Sequence, residues 1–372
     1  MKLKIAVLPG DGIGPEVTNQ AVKALKAIAS EYNHNFQFTH ADVGAIAIDK
    51  SNDPLPEKTL NLCKSSDAVL FGAIGHPKYD NNPSAKVRPE QGLLKLRKEL
   101  GLFANIRPVK AYPVLLNKSP LKKEIIEGTD ISIYRELTGG IYFGKKELSE
   151  DGNVASDLCE YSRPEIERIA HLAFKSAQTR NHKVTLIDKA NVLESSRLWR
   201  RVVTDIAKEY PEVTLDFLFV DNAAMQMILN PKQFDVILTE NMFGDIISDE
   251  ASVIGGSIGL LASASVGDKY AMFEPIHGSF PQATGKGIAN PIASILSAAM
   301  LLDHFNLNTE AELIREGVEK SLKLKISTPD INPASDKVTT SIVGDFIEDF
   351  IFNPKDTNLN FMNIHLGQST II

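Results

Sequence analysis

Short apolar runs of strand length alternate along most of the chain with longer segments whose apolar residues recur at helical spacing. Four pairs show this pattern: KIAVLPG (4–10) with EVTNQAVKALKAIASEY (16–32), SDAVLFGAIG (66–75) with PEQGLLKLRKEL (89–100), KVTLIDKAN (183–191) with ESSRLWRRVVTDIAKEY (194–210), and FDVILTEN (234–241) with FGDIISDEASVI (243–254). Alternating strands and helices are typical of a largely parallel sheet covered by helices on both faces. The pattern therefore predicts an α/β fold.

The pattern changes between Phe103 and Gly144, where strand-like runs follow one another without long helices. These runs are LFANIRPVKAYP (102–113), TDISIYREL (129–137) and GGIYFG (139–144), and the polar KKELSEDGNVASD (145–157) comes next. We expect a strand-rich insertion with an exposed hairpin, which suits a second domain or a dimerisation arm. A length of 372 residues also favours two domains. The last stretch, residues 353–372, has no clear period and receives no assignment.

Composition narrows the class of protein. Hydrophobic residues make up 43% and charged residues 23%, as in ordinary soluble proteins, and the net charge of -7 disfavours nucleic acid and anionic lipid as partners. Cys63 and Cys159 lie far apart, so neither a disulfide framework nor a thiolate zinc site is expected. The longest apolar stretch, residues 288–304, is interrupted by polar residues and is shorter than the roughly 20 residues that a bilayer needs. We expect a soluble protein in a reducing cytoplasm.

A pair of carboxylates stands out in ENMFGDIISDEAS (240–252). Asp245 and Asp249 lie four residues apart, where like charges weaken a helix by a few tenths of a kcal/mol. Two carboxylates one turn apart can bind a hard cation such as Mg²⁺ or Mn²⁺, and Asp221, at the end of the strand-like LDFLFVD, could complete the site. The alternative interpretation is a solvated helix face with a helix cap.

Other side chains suit proton transfer and anion binding. Lys189 follows an apolar strand and Tyr142 lies in GGIYFG; a lysine near a cation and away from water can accept a proton near neutrality. Taken singly, each also fits an ordinary strand-end residue. Arg97, Arg107 and Arg135 occur in apolar contexts, and three guanidinium groups could hold a dicarboxylate. Pairing of each arginine with a structural acid is an equally good interpretation.

Two glycine-rich segments bear on nucleotide binding. EPIHGSFPQATGKGIANP (274–291) contains Glu274, His277 and Asn290, and its backbone amides could approach a phosphate. PGDGIGPE (9–16) offers glycines without the G-x-G-x-x-G spacing, so a Rossmann dinucleotide site is disfavoured.

Together these stretches resemble the isocitrate and isopropylmalate dehydrogenase family of β-decarboxylating dehydrogenases, and within it the branch that acts on 3-isopropylmalate. The resemblance runs from residue 3 to about residue 350 and rests on LPGDGIGPEV, PEQGLLKLRKELGLFANIRPVK, RELTGGIYFG, DKANVLE, VDNAAMQ, FGDIISDEAS and EPIHGSFPQATGKGIANP. It implies a two-domain α/β/α fold with a large mixed sheet instead of a Rossmann fold. It further implies a dinucleotide-binding domain formed by residues 1–102 and 256–372. Residues 103–255 would form a substrate, metal and dimerisation domain, with an arm around 139–163.

The resemblance also assigns roles to individual residues. It implies a catalytic pair, Tyr142 and Lys189, and a metal site for Mg²⁺ or Mn²⁺ made by Asp221, Asp245 and Asp249. The implied substrate contacts are Arg97, Arg107, Arg135, Asp221, Glu90, Leu93, Leu94 and Val192. The implied NAD contacts are Glu274, His277, Gly278, Ser279, Phe280, Gln282, Asn290 and Asn191. Lys189 and Asp221 would serve the active site of the partner subunit, so a homodimer is expected.

Specificity is expected from two places. Leu93 and Leu94 would form an apolar wall for an isopropyl group, worth about 2 kcal/mol, so some activity on D-malate could persist. Gln282 stands where most family members of this branch carry an Asp that repels a 2′-phosphate, yet the loop lacks the Lys and Tyr pair of NADP-using relatives, so NAD is expected. A catalytically silent scaffold and a sister enzyme acting on homoisocitrate are the alternatives.

Overall fold

The computed structural model describes residues 1–80, 87–333 and 337–355, which form an α/β fold as predicted. The strands are β1 Lys2–Gly10, β2 Asn35–His40, β3 Ala68–Ala73, β4 Ala104–Lys110, β5 Asp130–Glu136, β6 Lys146–Leu148, β7 Ala155–Asp157, β8 Lys183–Asp188, β9 Thr214–Phe219, β10 Val236–Thr239, β11 Ala262–Val266 and β12 Ala271–Pro275. The helices are α1 Gly14–Glu31, α2 Ala45–Ser51, α3 Glu57–Lys64, α4 Pro77–Asp80, α5 Pro89–Glu99, α6 Lys123–Ile126, α7 Arg163–Gln178, α8 Glu194–Ala207, α9 Val220–Leu229, α10 Asn241–Ser252, α11 Ile292–His304, α12 Asn308–Lys323 and α13 Thr340–Phe352.

The chain divides into two compact units. Unit 1 comprises the described residues within Met1–Gly101, Ser257–Ala264 and Asp268–Ile372, and unit 2 comprises Leu102–Gly256 and Ser265–Gly267. The functional roles predicted for the two domains stay predictions. Of the C-terminal stretch left unassigned by the sequence, residues 356–372 lie outside the described part of the chain.

Unit 1 is built on strands in the order β2-β1-β3-β12-β11. β1 pairs in parallel with β2 and β3, and β12 pairs in parallel with β3. Helix α1 packs against α11 and α13 and buries Val17, Ala21, Ala24 and Ile28, which recur every three or four residues along one face. The strand order differs from the 3-2-1-4-5-6 order of the Rossmann fold, as expected.

Unit 2 is built on strands in the order β4-β5-β10-β8-β9. β5, β10, β8 and β9 run parallel to one another, whereas β4 runs antiparallel to β5, so the sheet is mixed as predicted. Ile131, Ile133, Ile237 and Ile247 lie in its buried apolar core, so β5, β10 and α10 are held by the same cluster. The polar segment after Gly144 forms an exposed antiparallel hairpin of β6 and β7.

Two details differ from the sequence-based expectations. GGIYFG is not a strand: Gly140–Tyr142 form a single 3₁₀ turn in which Gly140 has φ +73°, a left-handed conformation that a strand cannot contain. Asp221 does not end a strand but lies in the first turn of α9, because β9 stops at Phe219. Among the described residues, no helix is both long and apolar enough to cross a membrane.

Candidate functional site

Helix α10 carries the two carboxylates that the sequence singled out. It follows β10 directly, and its start is fixed by Glu240, whose side chain accepts a hydrogen bond from the Phe243 amide at 2.8 Å. Asp245 and Asp249, one turn apart, both lie on the side of α10 that contacts Arg107. Asp249 is 69% exposed, so the helix presents these acids at an accessible surface of unit 2.

The two arginines of unit 2 that were predicted to bind substrate come from neighbouring strands. Arg107 lies on β4 two residues after Asn105, and Asn105 is paired directly with Arg135 of β5. Residues two apart on a strand, and residues directly opposite in an antiparallel pair, point to the same face. The β4–β5 register therefore places both guanidinium groups on the face that carries α10.

Both arginines contact the carboxylates of α10. Arg107 donates to Asp249 Oδ1 at 3.0 Å, and its Nη2 lies 3.8 Å from Asp245 Oδ1. Arg135 donates to Asp245 and, through Nε and Nη2, to Asn241 Oδ1 at 3.1 and 2.9 Å. The Arg135 side chain is only 6% exposed, so its charge is balanced within the protein. Repulsion between the two acids is thus offset by two adjacent cations.

Tyr142 is the third group that reaches Asp245. Its hydroxyl donates to Asp245 Oδ2 at 3.0 Å, and the Arg135 guanidinium lies 5.8 Å from the centre of its ring. Partial burial and the neighbouring Asp245 carboxylate raise the pKa of Tyr142 above its usual value. The phenol therefore stays protonated at neutral pH and can donate a proton from a half-exposed position.

Buried groups that the sequence reasoning missed hold the segment before Tyr142. Glu136 is fully buried and accepts from the amides of Thr138 and Gly139 at 2.9 and 2.7 Å. The ring of Tyr161 fills the space beside Gly140, where a Cβ atom would lie 2.3 Å from the tyrosine hydroxyl. Glu136 was visible in RELTGG only as the residue after Arg135, and nothing in the sequence pointed to Tyr161.

Lys189 and Asp221 form a separate pair in unit 2. Lys189 Nζ lies 2.8 Å from Asp221 Oδ1, and this interaction lowers the pKa of Asp221. Asn191 and Val192 belong to the turn after Lys189, where the Val192 amide donates to the Lys189 carbonyl at 2.9 Å and the valine side chain is exposed. Among the described residues, Asp221 does not form a three-acid ion site with Asp245 and Asp249.

The acids of α10 supply part of a metal site. Within residues 1–80, 87–333 and 337–355, no group of three or more His, Cys, Asp or Glu side chains could hold an ion. Asp245 and Asp249 alone supply two hard oxygen donors on one face of α10, a set that suits Mg²⁺ or Mn²⁺. A third carboxylate has to come from elsewhere, as the predicted role of Asp221 in a partner subunit would provide.

The remaining predicted substrate residues lie on α5 in unit 1. Arg97 donates to Glu274 of β12 at 2.8 Å. Glu90, in the first turn of α5, has its carboxylate close to Gly75, and the Ser279 hydroxyl approaches the same glycine. Leu93 is half-buried and Leu94 is exposed, so the predicted apolar wall is a solvent-accessible surface of the helix.

Apart from Asn191 of unit 2, the predicted cofactor residues lie along residues 276–291 of unit 1, which we call the cofactor loop, and on Glu274 just before it. His277 Nδ1 lies 2.9 Å from the Gly278 carbonyl, which can only accept, so Nδ1 carries the proton and Nε2 is an acceptor. His277 Nε2 is buried without a hydrogen-bond partner among the described residues, and burial lowers the pKa of His277. An unused buried acceptor fits a ligand that carries an N–H or O–H donor, as a dinucleotide does.

Other residues of the cofactor loop are either anchored or exposed. Asn290 is buried, donates to Asp330 at 3.1 Å and accepts from the Ile292 amide at 3.0 Å, so it is fixed at the start of α11. Phe280 is 54% exposed and has φ +39°, an uncommon conformation for an aromatic residue. Gln282 is exposed, and Gly278 has no atom within 4 Å of its Cβ position.

Comparison with known proteins shows the family. The sequence profile described as isocitrate/isopropylmalate dehydrogenase matches residues 4–347. The 3-isopropylmalate dehydrogenase of Bacteroides fragilis (strain YCH46) is 55% identical over 352 residues, which cover 94% of this chain and 99% of that relative. The 3-isopropylmalate dehydrogenase of Aquifex aeolicus is 50% identical, with coverage of 95% and 99%.

Solved structures agree with the sequence relatives. The crystal structure of isocitrate dehydrogenase from Methylococcus capsulatus has a TM-score of 0.82 at 33% identity and covers 94% of this chain and 99% of that one. The apo form of a β-decarboxylating dehydrogenase from Thermococcus kodakarensis has a TM-score of 0.79 at 37% identity, with coverage of 95% and 98%. This chain belongs to the isocitrate/isopropylmalate dehydrogenase family.

Proposed function

We propose that this chain catalyses the NAD-dependent oxidation and decarboxylation of (2R,3S)-3-isopropylmalate to 4-methyl-2-oxopentanoate and carbon dioxide, a step of leucine biosynthesis. The observation that carries the chemistry is the convergence of Arg107, Arg135 and Tyr142 on Asp245. The choice of substrate rests on relatives of that name that share 50% to 55% identity over nearly the whole chain.

Substrate binding falls to the arginines. Arg107 and Arg135 provide paired guanidinium donors in a partly buried setting, where charge-assisted hydrogen bonds to a carboxylate are strong. We assign the carboxylates of the malate core to these two residues and to Arg97. Leu93 and Leu94 would contact the isopropyl group, while Glu90 would disfavour acidic substituents through charge repulsion.

Proton transfer falls to Lys189 and Tyr142. A divalent cation bound by Asp245, Asp249 and Asp221 of the partner subunit would stabilise negative charge on the C2 oxygen, and NAD would accept the hydride from C2. Lys189 would take the proton of the C2 hydroxyl, directly or through water. Loss of carbon dioxide from C3 would leave its bonding electrons in an enol, and Tyr142, which is protonated at neutral pH, would then deliver the proton that converts the enol to the ketone.

The dinucleotide would bind along the cofactor loop. Its buried and unused acceptor, His277 Nε2, supports this placement, as do the exposed Phe280 and Gln282. We propose NAD instead of NADP because the loop has no lysine and tyrosine pair for a 2′-phosphate. We also propose a homodimer, because Asp221 pairs with Lys189 and, among the described residues of one chain, does not complete an ion site with Asp245 and Asp249.

A substrate and cofactor panel tests the proposal. Purified protein is assayed with Mg²⁺ or Mn²⁺ and NAD on 3-isopropylmalate, isocitrate, homoisocitrate and D-malate, and then with NADP on the preferred acid. We expect 3-isopropylmalate to have the highest kcat/KM and a chelator to abolish turnover. A tenfold preference for a rival acid would refute the substrate assignment, and unchanged turnover after chelation would refute the metal assignment.

A further inference from the structure

The turn between β1 and α1 packs against the backbone of the cofactor loop. In a Rossmann fold, the first strand-to-helix turn holds the pyrophosphate of the dinucleotide. Here the Ile13 amide donates to the Ser279 carbonyl at 2.8 Å, and a Cβ atom on Gly12, which has φ +60°, would lie only 2.0 Å from that carbonyl oxygen. The glycine-rich PGDGIGPE segment is therefore in direct backbone contact with the cofactor loop, and a side chain at residue 12 would not fit between them.

Glu16, in the first turn of α1, binds the far end of the same loop. Its carboxylate accepts the amide of Gly285 through one oxygen and the amide of Gly287 through the other, the latter at 3.2 Å. Both glycines have positive φ, and no described atom lies within 4 Å of their Cβ positions. Side-chain packing therefore does not fix these two glycines, and their backbone amides are held by the Glu16 carboxylate.

Further contacts hold the loop on both sides. Ile13 and Val17 of the α1 region form a buried apolar cluster with Ala283 and Ala289 of the loop. Thr340 of α13 donates to the Gly287 carbonyl at 2.8 Å through its amide and to the Ala289 carbonyl at 2.6 Å through its hydroxyl. Within the loop, the backbone hydrogen bonds are confined to short turns such as Ala283 to Phe280.

We infer that Glu16 is a positioning residue for dinucleotide binding, acting through the Gly285 and Gly287 amides of the cofactor loop. The inference rests on the proposed placement of NAD along that loop. A loop fixed before the ligand arrives does not have to be ordered on binding, and this lowers the free-energy cost of association. Glu16 lies on α1 and needs no contact with the dinucleotide to have this effect.

The experiment compares Glu16→Ala and Glu16→Gln with wild type and with Glu31→Gln as a matched control. Glu31 is an exposed residue at the last position of the same helix. The dissociation constant for NAD is measured by calorimetric titration of the full-length protein, alongside steady-state kinetics and thermal melting. Direct titration with NAD does not depend on turnover.

We expect Glu16→Ala to raise the dissociation constant and the KM for NAD about tenfold, because two charge-assisted hydrogen bonds are lost. Glu16→Gln should lie between wild type and Glu16→Ala, since an amide side chain has one acceptor oxygen instead of two. The kcat value at saturating NAD and the KM for the acid substrate should stay within twofold of wild type, and Glu31→Gln should match wild type.

An NAD affinity within twofold of wild type in both Glu16 variants overturns the inference. Equal losses in kcat, NAD affinity and substrate affinity also overturn it, because they indicate a general structural defect. If Glu16→Ala does not fold, Glu16→Gln decides between these outcomes. A wild-type protein that binds NAD but does not turn over 3-isopropylmalate contradicts the proposed function and leaves this inference standing.

Discussion

At the scale of single residues, three neighbouring side chains define the surroundings of Asp245. Asp245 receives hydrogen bonds from Arg135 and from Tyr142, and Arg107 stands nearby. These three groups hold the Asp245 carboxylate in one orientation on the accessible side of α10.

Tyr142→Phe tests the assignment of the proton donor. The hydroxyl is half-exposed, so its removal should change the free energy of unfolding by less than about 1 kcal/mol. If Tyr142 delivers the proton, kcat should fall by about 10² to 10³, while KM for the acid changes little. Steady-state kinetics and thermal melting measure both effects, and a kcat within threefold of wild type would remove Tyr142 from the mechanism.

The burial of His277 predicts how the stability of the protein depends on pH. Burial lowers its pKa in the folded protein below the value of about 6.5 that it has when unfolded. The unfolded chain then binds more protons below pH 6.5, so the contribution of His277 to stability is present above that pH and is lost as the pH falls. Urea unfolding at pH 7 and pH 5 should show a smaller decrease in stability for His277→Gln than for wild type; equal decreases would contradict the prediction.

At the scale of secondary structure, the position of α10 against β5 sets the geometry of the site. Gly244 lies on the buried face of α10, and a Cβ atom there would come within 2.6 Å of Arg135 Cγ. The helix can approach the arginine this closely only because residue 244 has no side chain. The spacing between Arg135 and Asp245 thus depends on Gly244, which has no side chain and takes no direct part in the site.

Gly244→Ala should therefore destabilise the protein although alanine favours helices. The gain in helix propensity is about 1 kcal/mol, whereas overpacking at a buried contact costs about 1 to 3 kcal/mol. We expect a lower melting temperature and a higher KM for the acid, because Arg135 is displaced, with an unchanged KM for NAD. A variant that is more stable than wild type with an unchanged KM would show that the contact relaxes freely.

The sequence predicted most elements of the fold because hydrophobic spacing is a local signal. The α/β class and helix α10 with its two acids follow from short-range pattern, whereas the mixed sheet was implied only by the family resemblance. GGIYFG was wrongly predicted as a strand, because its conformation depends on Tyr161 and Glu136, which contact it from outside the motif. The partners of Glu16, the amides of Gly285 and Gly287, were likewise invisible, since no local pattern reports contacts between residues 269 and 271 positions apart.

At the scale of the whole molecule, the proposed active site requires two copies of the chain. Large apolar side chains lie exposed on the two helices that bear Asp221 and Asp245, namely Met225, Ile228 and Leu229 on α9 and Ile246 on α10. Clusters of exposed apolar residues often mark surfaces that bind another protein. Their location beside the predicted shared residues supports a dimer interface there.

Mixing two inactive variants tests whether active sites are shared. Lys189→Ala and Tyr142→Phe are unfolded together in equal amounts and refolded, so that half of the dimers contain one copy of each. If Lys189 acts with Tyr142 of the partner subunit, each mixed dimer has one intact site, and about a quarter of wild-type activity should return. If both residues act within one copy, the mixture should be no more active than its components refolded separately.

The pairing of Arg107 and Arg135 with Asp245 and Asp249 has a thermodynamic consequence. The groups assigned to the acid substrate and those assigned to the cation are engaged with one another, so a ligand that captures one set liberates the other. Cation and diacid should therefore bind with positive heterotropic linkage, each tightening the other by the same factor. Calorimetric titration of the protein with Mg²⁺, in the presence and absence of 3-isopropylmalate, would measure that factor. A value of one would mean that separating the four side chains costs no free energy.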